Sequence, residues 1–220
     1  MAYLCRLMSA DFSFDSFAPK LRNAMQLPLP GEEAQYRMSP MGRPKRAAAM
    51  ARIPNPKLSA VLVLFYPFEG HTHMVLMLRN AYPGVHSGQV SFPGGKKEEI
   101  DASLMMTALR EAEEEVGVVP NSVEVLGQLT EVYIPPSGFL VEPYVALASD
   151  RPNFQPDPSE VQQLIEVPMH EFLHPENFTS RTIPWRNGMS ITVPCYVLQG
   201  HIVWGATAMM LSEMQAIIER

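Results

Sequence analysis

The sequence has little of what marks a disulfide-bonded, membrane-spanning or nucleic-acid-binding protein. Of its 220 residues only two are cysteines, Cys5 and Cys195, which lie far apart and outside any CxxC motif. Neither a disulfide framework nor a cysteine zinc site is therefore expected. The longest apolar run, 60–68, contains a proline and falls far short of the ~20 residues that span a membrane. With 17 basic against 23 acidic residues the net charge is −6, so a general basic surface for nucleic acid is absent.

These shortages set the first expectations about size, location and partners. The length favours one domain with extensions, and 46% apolar residues is typical of a globular chain. The scarcity of cysteine suggests a reducing compartment. We therefore expect a soluble, cytoplasmic protein that binds neither membranes nor nucleic acid.

Residues 1–57 are expected to form an N-terminal extension of a folded domain at 58–220. Between Phe12 and Leu27, apolar residues recur at spacings of three and four, which predicts an amphipathic helix that ends before Pro28. From 37 to 57 the chain is basic and rich in proline. This segment has two interpretations: a solvated strap over the domain surface, or a segment in which one or two cations meet phosphate groups of a ligand.

The pattern after residue 58 predicts an α+β or α/β sandwich with a mixed sheet, because strands outnumber helices and the helices lie at separated points. A helix is predicted over 102–116, with Asp101 as its N-cap and Gly117 as its C-terminal stop, and a closing helix over 207–219. A short helix is predicted after Pro168. Strands are predicted at 60–66, 72–78, 89–92 (closed by a turn at 93–95), 123–132, 140–148, 162–167, 190–198 and 201–203.

Three glutamates on the helix at 102–116 carry the strongest chemical signal. Glu111, Glu114 and Glu115 stand at i, i+3 and i+4, so their carboxylates share one face of the helix within one turn. Three like charges there repel each other, and a hard divalent cation such as Mg²⁺ or Mn²⁺ would supply the compensating charge. Glu113 is read as an ordinary solvated acid, and Arg110 is placed to orient a carboxylate by a bidentate contact.

The same stretch resembles the Nudix box, in which a glycine precedes an Arg-Glu-apolar-x-Glu-Glu-x-Gly-apolar helix. The matching residues here are Gly95, Arg110, Glu111, Ala112, Glu114, Glu115, Gly117 and Val118. The loop after Gly95 is one residue longer than the pattern, and Asp101 stands where the first glutamate of the pattern falls. The resemblance implies a Nudix-like α/β/α sandwich with a mixed sheet.

Residues upstream of the box are similar to the coenzyme A diphosphatase subgroup of the Nudix family. They are Leu76, Arg79, His86, Gly88, Gln89, Val90, Phe92, Pro93 and Gly94. The resemblance implies metal-dependent hydrolysis of coenzyme A or a derivative to adenosine 3′,5′-bisphosphate and 4′-phosphopantetheine. Two alternatives stay open: another nucleoside diphosphate derivative, such as ADP-ribose or a dinucleotide, and a non-catalytic Nudix-fold binding module.

The resemblance also implies roles for individual residues. Glu111, Glu114, Glu115 and the carbonyl of Gly95 would hold Mg²⁺ or Mn²⁺, and Arg110 would orient the carboxylates. The proton of the attacking water would go to one of the three glutamates, Glu114 among them, or to Glu160, which can equally be read as a solvated acid at a strand edge. His86 is interpreted as a hydrogen-bonded residue that fixes its loop. The small-molecule partner would be a nucleotide, and a homodimer stays open, with the extension as a candidate interface.

Overall fold

The structure is a computed structural model that describes residues 12–53, 55–81, 88–184 and 189–220. Its helices are α1 (Phe14–Ala24), α2 (Gly31–Gln35), α3 (Arg46–Met50), α4 (Leu104–Val116), α5 (Met169–Phe172) and α6 (Gly205–Ile218). Its strands are β1 (Lys57–Phe68), β2 (His71–Arg79), β3 (Val90–Ser91), β4 (Gly94–Lys96), β5 (Val123–Gln128), β6 (Val132–Ile134), β7 (Phe139–Ala148), β8 (Val161–Pro168), β9 (Phe178–Pro184), β10 (Ser190–Leu198) and β11 (His201–Trp204).

Strand β1 is at the centre of an eight-stranded mixed sheet. It pairs in parallel with β7 and antiparallel with β2 and β4. Strands β3 and β8 pair with β2, and strands β5 and β6 pair with β7, all antiparallel. A second, three-stranded sheet has the order β11-β10-β9. The predicted α+β class with a mixed sheet is confirmed.

Helices cover both faces of the large sheet because β1 is apolar on both faces. Side chains alternate along a strand, so Ala60 and Leu62 pack in the core beneath α4, while Val63 and Phe65 pack in the core shared with α1 and α6. Burial on both faces explains why this strand reads as a continuous apolar run rather than as an alternating one. The result is the expected α/β/α sandwich.

The glycine pair Gly94-Gly95 lies in a strand and not in the predicted turn. Strand β4 pairs antiparallel with Ser59–Val61 of β1. A Cβ atom on Gly94 would stand 2.3 Å from the carbonyl oxygen of Ala60, so only glycine lets the two backbones approach this closely. The pair therefore continues the sheet and brings the following loop to the edge of β1.

The strand predicted over 123–132 is divided in two, and Thr130 explains the break. The backbone N–H of Thr130 donates to the carboxylate of Glu213 at 3.1 Å, and its hydroxyl donates to the same carboxylate at 2.7 Å. These groups are therefore committed to α6 and not to the sheet. Pairing with β7 resumes at Val132. Strand β9, which no sequence pattern had indicated, pairs with β10.

The described part of the N-terminal extension packs on the sandwich. Helix α1 is shorter than the predicted 12–27: the carbonyl of Phe12 instead accepts a 2.7 Å hydrogen bond from the N–H of Thr72 in β2. Phe17 and Leu21 of α1 lie in the core shared with α6. The division into an extension (1–57) and a domain (58–220) stays a prediction.

Glu213 of α6 is fully buried and ties α2 to the rest of the molecule. Besides Thr130, its carboxylate accepts the N–H of Gly31 at 3.0 Å and the Nε2–H of Gln35 at 2.8 Å. All of these donors are neutral. The carboxylate is therefore stabilised by hydrogen bonds and not by an opposite charge.

We expect Glu213→Ala to lower the free energy of unfolding by about 3 kcal/mol or more, because it leaves several buried donors unsatisfied. Glu213→Gln should cost less, because the amide keeps one acceptor oxygen. Urea unfolding followed by circular dichroism measures both, with Glu33→Ala on the exposed side of α2 as the control. A Glu213→Ala protein as stable as that control would contradict the role assigned to this carboxylate.

Candidate active site

The acidic face of α4 lies against β4. Helix α4 packs on one face of the sheet, next to β4. The Glu111 carboxylate occupies the space beside Gly95. A Cβ atom on Gly95 would stand 2.3 Å from Oε2 of Glu111. The absence of a side chain at Gly95 is therefore what lets a helix carboxylate approach the strand backbone and its carbonyl groups.

Glu115 is the most buried of the three glutamates, with a side chain 2% exposed. Its carboxylate accepts the backbone N–H of Gly94 at 2.7 Å and Nη1–H of Arg79 at 2.9 Å. Burial raises the pKa of Glu115 to about 7, although the charge of Arg79 and the N–H of Gly94 act in the opposite direction. Arg79 and Gly94 thus stabilise the negative charge of Glu115 only in part, as is expected of a carboxylate that binds a further cation.

Glu114 and Glu111 both contact Arg110. The Glu114 side chain is 59% exposed and pairs with Nη1 of Arg110 at 2.8 Å, while Glu111 pairs with Nη2 at 2.9 Å. Burial raises the pKa of Glu111, and the charges of Glu114 and Glu160 add to that increase against the effect of Arg110. The three glutamates therefore form one electrostatic group.

Asp101 anchors Arg110 and does not cap α4 as predicted. Its carboxylate makes a bidentate contact with Arg110, at 2.9 Å to Nε and 3.0 Å to Nη2, and accepts the hydroxyl of Thr107 at 2.9 Å. The capping residue is Ser103, whose side chain accepts the N–H of Met106. Asp101 lies two residues before Ser103, and its carboxylate is already bound to Arg110 and Thr107. It is therefore not available to cap α4. Gly117 ends α4 in the left-handed conformation, as predicted.

Arg79 connects Glu160 to the acidic helix. Glu160 stands just before β8, and one of its carboxylate oxygens lies 3.5 Å from Nη2 of Arg79, which also binds Glu115. The structure therefore brings Glu160 to the same site as the α4 glutamates, with its side chain half exposed. In the sequence, Arg79 is one residue of the motif upstream of the Nudix box. Its spacing from Glu115 and Glu160 does not indicate that it bridges these two acids.

The donor set fits a hard divalent cation. Glu111 and Glu115 are partly or fully buried carboxylates with raised pKa values, and they stand beside a glycine that leaves its backbone accessible. Carboxylate and carbonyl oxygens are the ligands that Mg²⁺ and Mn²⁺ prefer. Within the described ranges no three His, Cys, Asp or Glu side chains are already grouped as a metal site, and Glu114 is turned to Arg110.

A cavity of about 600 Å³ opens on the other side of β4. Gly94, Gly95 and Lys96 contribute to its lining, which is mainly apolar. The lining includes Met41, Arg43, Val61, Arg79, Val90, Phe92, Ile134, Pro135, Phe139, Val141, Trp204, Ala206 and Met210. A mainly apolar space of this size can hold the uncharged part of a small molecule.

Two further predictions from the sequence concern His86 and membrane-spanning helices. His86 lies outside the described residues. Among the residues that the structure does describe, no helix is both long and apolar enough to cross a membrane.

Comparison with known proteins assigns the fold and site to a family. The family model described as "NUDIX domain" matches residues 56–185, a range that includes β4, α4 and Glu160. The chain belongs to the Nudix family, and its class of enzyme is a Nudix diphosphatase that acts on a nucleoside diphosphate derivative.

Individual relatives agree with this assignment. The chain is 38% identical over 141 residues to an uncharacterized Nudix hydrolase NudL of Photorhabdus laumondii, covering 64% of this chain and 74% of that one. It is 35% identical over 169 residues to the chloroplastic Nudix hydrolase 22 of Arabidopsis thaliana, covering 74% and 56%. A crystal structure of a MutT/nudix family protein from Enterococcus faecalis shares the fold, with a TM-score of 0.50 and 16% identity over 89% of this chain and 76% of that one.

We expect Asp101→Asn to lower stability at neutral pH, with the deficit shrinking in acid. The contact with Arg110 holds the pKa of Asp101 well below its usual range. Its stabilising effect is therefore complete above the unfolded-state value of about 3.9 and is lost as the pH falls through the folded-state value. Unfolding by urea at pH 7 and pH 3 measures the difference, with the exposed Glu99→Gln as control. A deficit that stayed constant over this range would contradict the ion pair.

Proposed function

We propose that this Nudix hydrolase cleaves the diphosphate bond of coenzyme A or one of its derivatives, with Mg²⁺ or Mn²⁺ as cofactor. The observation that carries the proposal is that Gly95 both borders the Glu111 carboxylate of α4 and lines a large, mainly apolar cavity. A diphosphate needs cation-binding acids such as those of α4, and the groups that it joins need a space beside them. Coenzyme A has both parts. The similarity of the residues around Gly94 to the coenzyme A subgroup supports the same substrate.

The metal would be held by Glu111, Glu114, Glu115 and the carbonyl of Gly95. When bound, it supplies positive charge for the phosphoryl oxygens and lowers the pKa of a water molecule. Arg110 fixes the orientation of Glu111 and Glu114, and it is itself fixed by Asp101. Outer residues of this kind determine how well the inner carboxylates are aligned.

Glu160 is the proposed proton acceptor, with Glu114 as the second candidate. Water attacks one phosphorus atom, the bond from that phosphorus to the bridging oxygen breaks, and the water proton passes to the carboxylate. Glu160 is half exposed and close to the buried glutamates, and Arg79 holds it there. It can therefore reach water at the site without having to be a metal ligand. The products are adenosine 3′,5′-bisphosphate and 4′-phosphopantetheine.

A panel of substrates with Mg²⁺ and Mn²⁺ tests the substrate. We expect coenzyme A or an acyl derivative to give the highest kcat/KM, measured by product chromatography. Glu115→Gln should lower kcat by roughly 100-fold or more, while Glu113→Gln, exposed on the same helix, should act as wild type.

The other outcomes of the panel identify the alternatives. A rate on ADP-ribose or a dinucleotide far above that on coenzyme A would replace the substrate and keep the enzyme class. Ligand binding without turnover on any member would support a binding module. Unchanged turnover in Glu115→Gln would remove the metal assignment.

Glu160→Gln should separate proton transfer from metal binding. We expect kcat to fall by roughly 100-fold or more, while the affinity for Mn²⁺, measured by electron paramagnetic resonance, stays at the wild-type value. Glu176→Gln, an exposed acid outside the site, is the control. Wild-type kcat in Glu160→Gln would exclude Glu160 from this role and leave Glu114 as the candidate.

Cytoplasmic location and homodimerisation stay predictions. Gel filtration with light scattering would measure the oligomeric state of the full chain.

A further inference from the structure

Part of the cavity wall comes from outside the family match. Residues 40–44, here called the cavity strap, precede the matched range 56–185 and line the cavity together with β1, β4 and β7. They belong to the basic, proline-rich segment for which the sequence left open either a solvated role or contact with phosphate. The structure brings one of its cations, Arg43, to the cavity.

Arg43 is a partly buried cation that is not neutralised by an acid. Its guanidinium donates to the carbonyl of Tyr133 in β6, and within the described part of the chain it forms no ion pair with a carboxylate. Arg46, three residues on, is instead paired with Glu131 at 2.6 Å and with Glu32 at 3.5 Å. Burial lowers the pKa of Arg43, as is expected of a cation that is partly removed from water. An anion that enters the cavity would meet this charge.

The cavity strap is held in place by contacts other than those of Arg43. The hydroxyl of Tyr36 donates to the carbonyl of Pro44 at 2.8 Å, and the ammonium group of Lys45 lies 4.1 Å from the centre of the Tyr36 ring. Arg46 adds its ion pairs from α3. Removing the Arg43 guanidinium therefore leaves the contacts of Pro44, Lys45 and Arg46 in place.

Arg43 contacts β6, which is three strand spacings from β4 in the sheet. Tyr133 pairs with Leu140 in β7, and Leu140 pairs with Leu58 in β1. The carbonyl of Leu58 in turn accepts the N–H of Lys97, which follows β4. Three inter-strand spacings therefore separate the β6 and β4 backbones, roughly 14 Å. A diphosphate group at β4 is shorter than that distance, so a substrate anion that binds Arg43 would belong to a second group of the same substrate.

We propose that Arg43 is a specificity-determining residue that binds a second phosphate of the substrate, separate from the diphosphate that is cleaved. In the coenzyme A series this group is the 3′-phosphate of the ribose. The inference rests on the proposed function for the identity of the substrate. The guanidinium is suited to the role because it stays charged and offers several N–H donors to phosphate oxygens.

The test compares coenzyme A with 3′-dephospho-coenzyme A, which lacks only that phosphate. We expect the wild-type enzyme to prefer coenzyme A in kcat/KM by roughly 10- to 100-fold. Arg43→Met should lower kcat/KM for coenzyme A to the value for the dephospho compound and leave the latter unchanged. Arg43→Lys should keep part of the preference. Arg52→Met, an exposed cation of the same basic segment outside the cavity lining, is the matched control.

Binding without catalysis provides the second readout. Calorimetry should show that wild type binds adenosine 3′,5′-bisphosphate more tightly than adenosine 5′-monophosphate, and that Arg43→Met removes the difference. An equal loss on both coenzyme A substrates, or no change on either, would overturn the assignment of Arg43. Failure of wild type to cleave either substrate would instead overturn the proposed function, so the two failures are distinguishable.

Discussion

The site depends on the close approach of a helix to a strand. Strand β4 lies against β1 without side chains at Gly94 and Gly95, and α4 directs carboxylates into the space that this leaves. The N–H of Gly94 then binds Glu115, so the same glycine pair both completes the sheet and positions an acid. Arg79 and Arg110 offset the mutual repulsion among the glutamates. The positions of the carboxylates at the site therefore follow from the close packing of β4 against β1.

Much of the fold and the acidic face could be predicted from the sequence, because both rest on local periodicity. The spacing of Glu111, Glu114 and Glu115 fixes a shared face in any α-helix, and the apolar run of β1 can only be satisfied in a sheet covered on both sides. These features need no knowledge of distant contacts.

The parts that could not be predicted depend on partners far away in the chain. Thr130 is an ordinary strand residue by composition, and only the presence of Glu213, 83 positions later, interrupts the strand. Asp101 has the composition and position of a helix cap, yet Arg110 claims its carboxylate. The bridge from Arg79 to Glu160 spans 81 positions. Contacts between side chains this far apart in the chain produce no periodic pattern in the sequence.

Residues that precede the family match are part of the packed core. Phe17 and Leu21 fill the core beside α6, and Gln35 satisfies a carboxylate of that helix, although all three precede residue 56. A chain trimmed to the matched range would open one wall of the cavity and uncover apolar core surface at the same time. The leading segment therefore contributes to both the core and the cavity wall, although it contains no residue of the Nudix box.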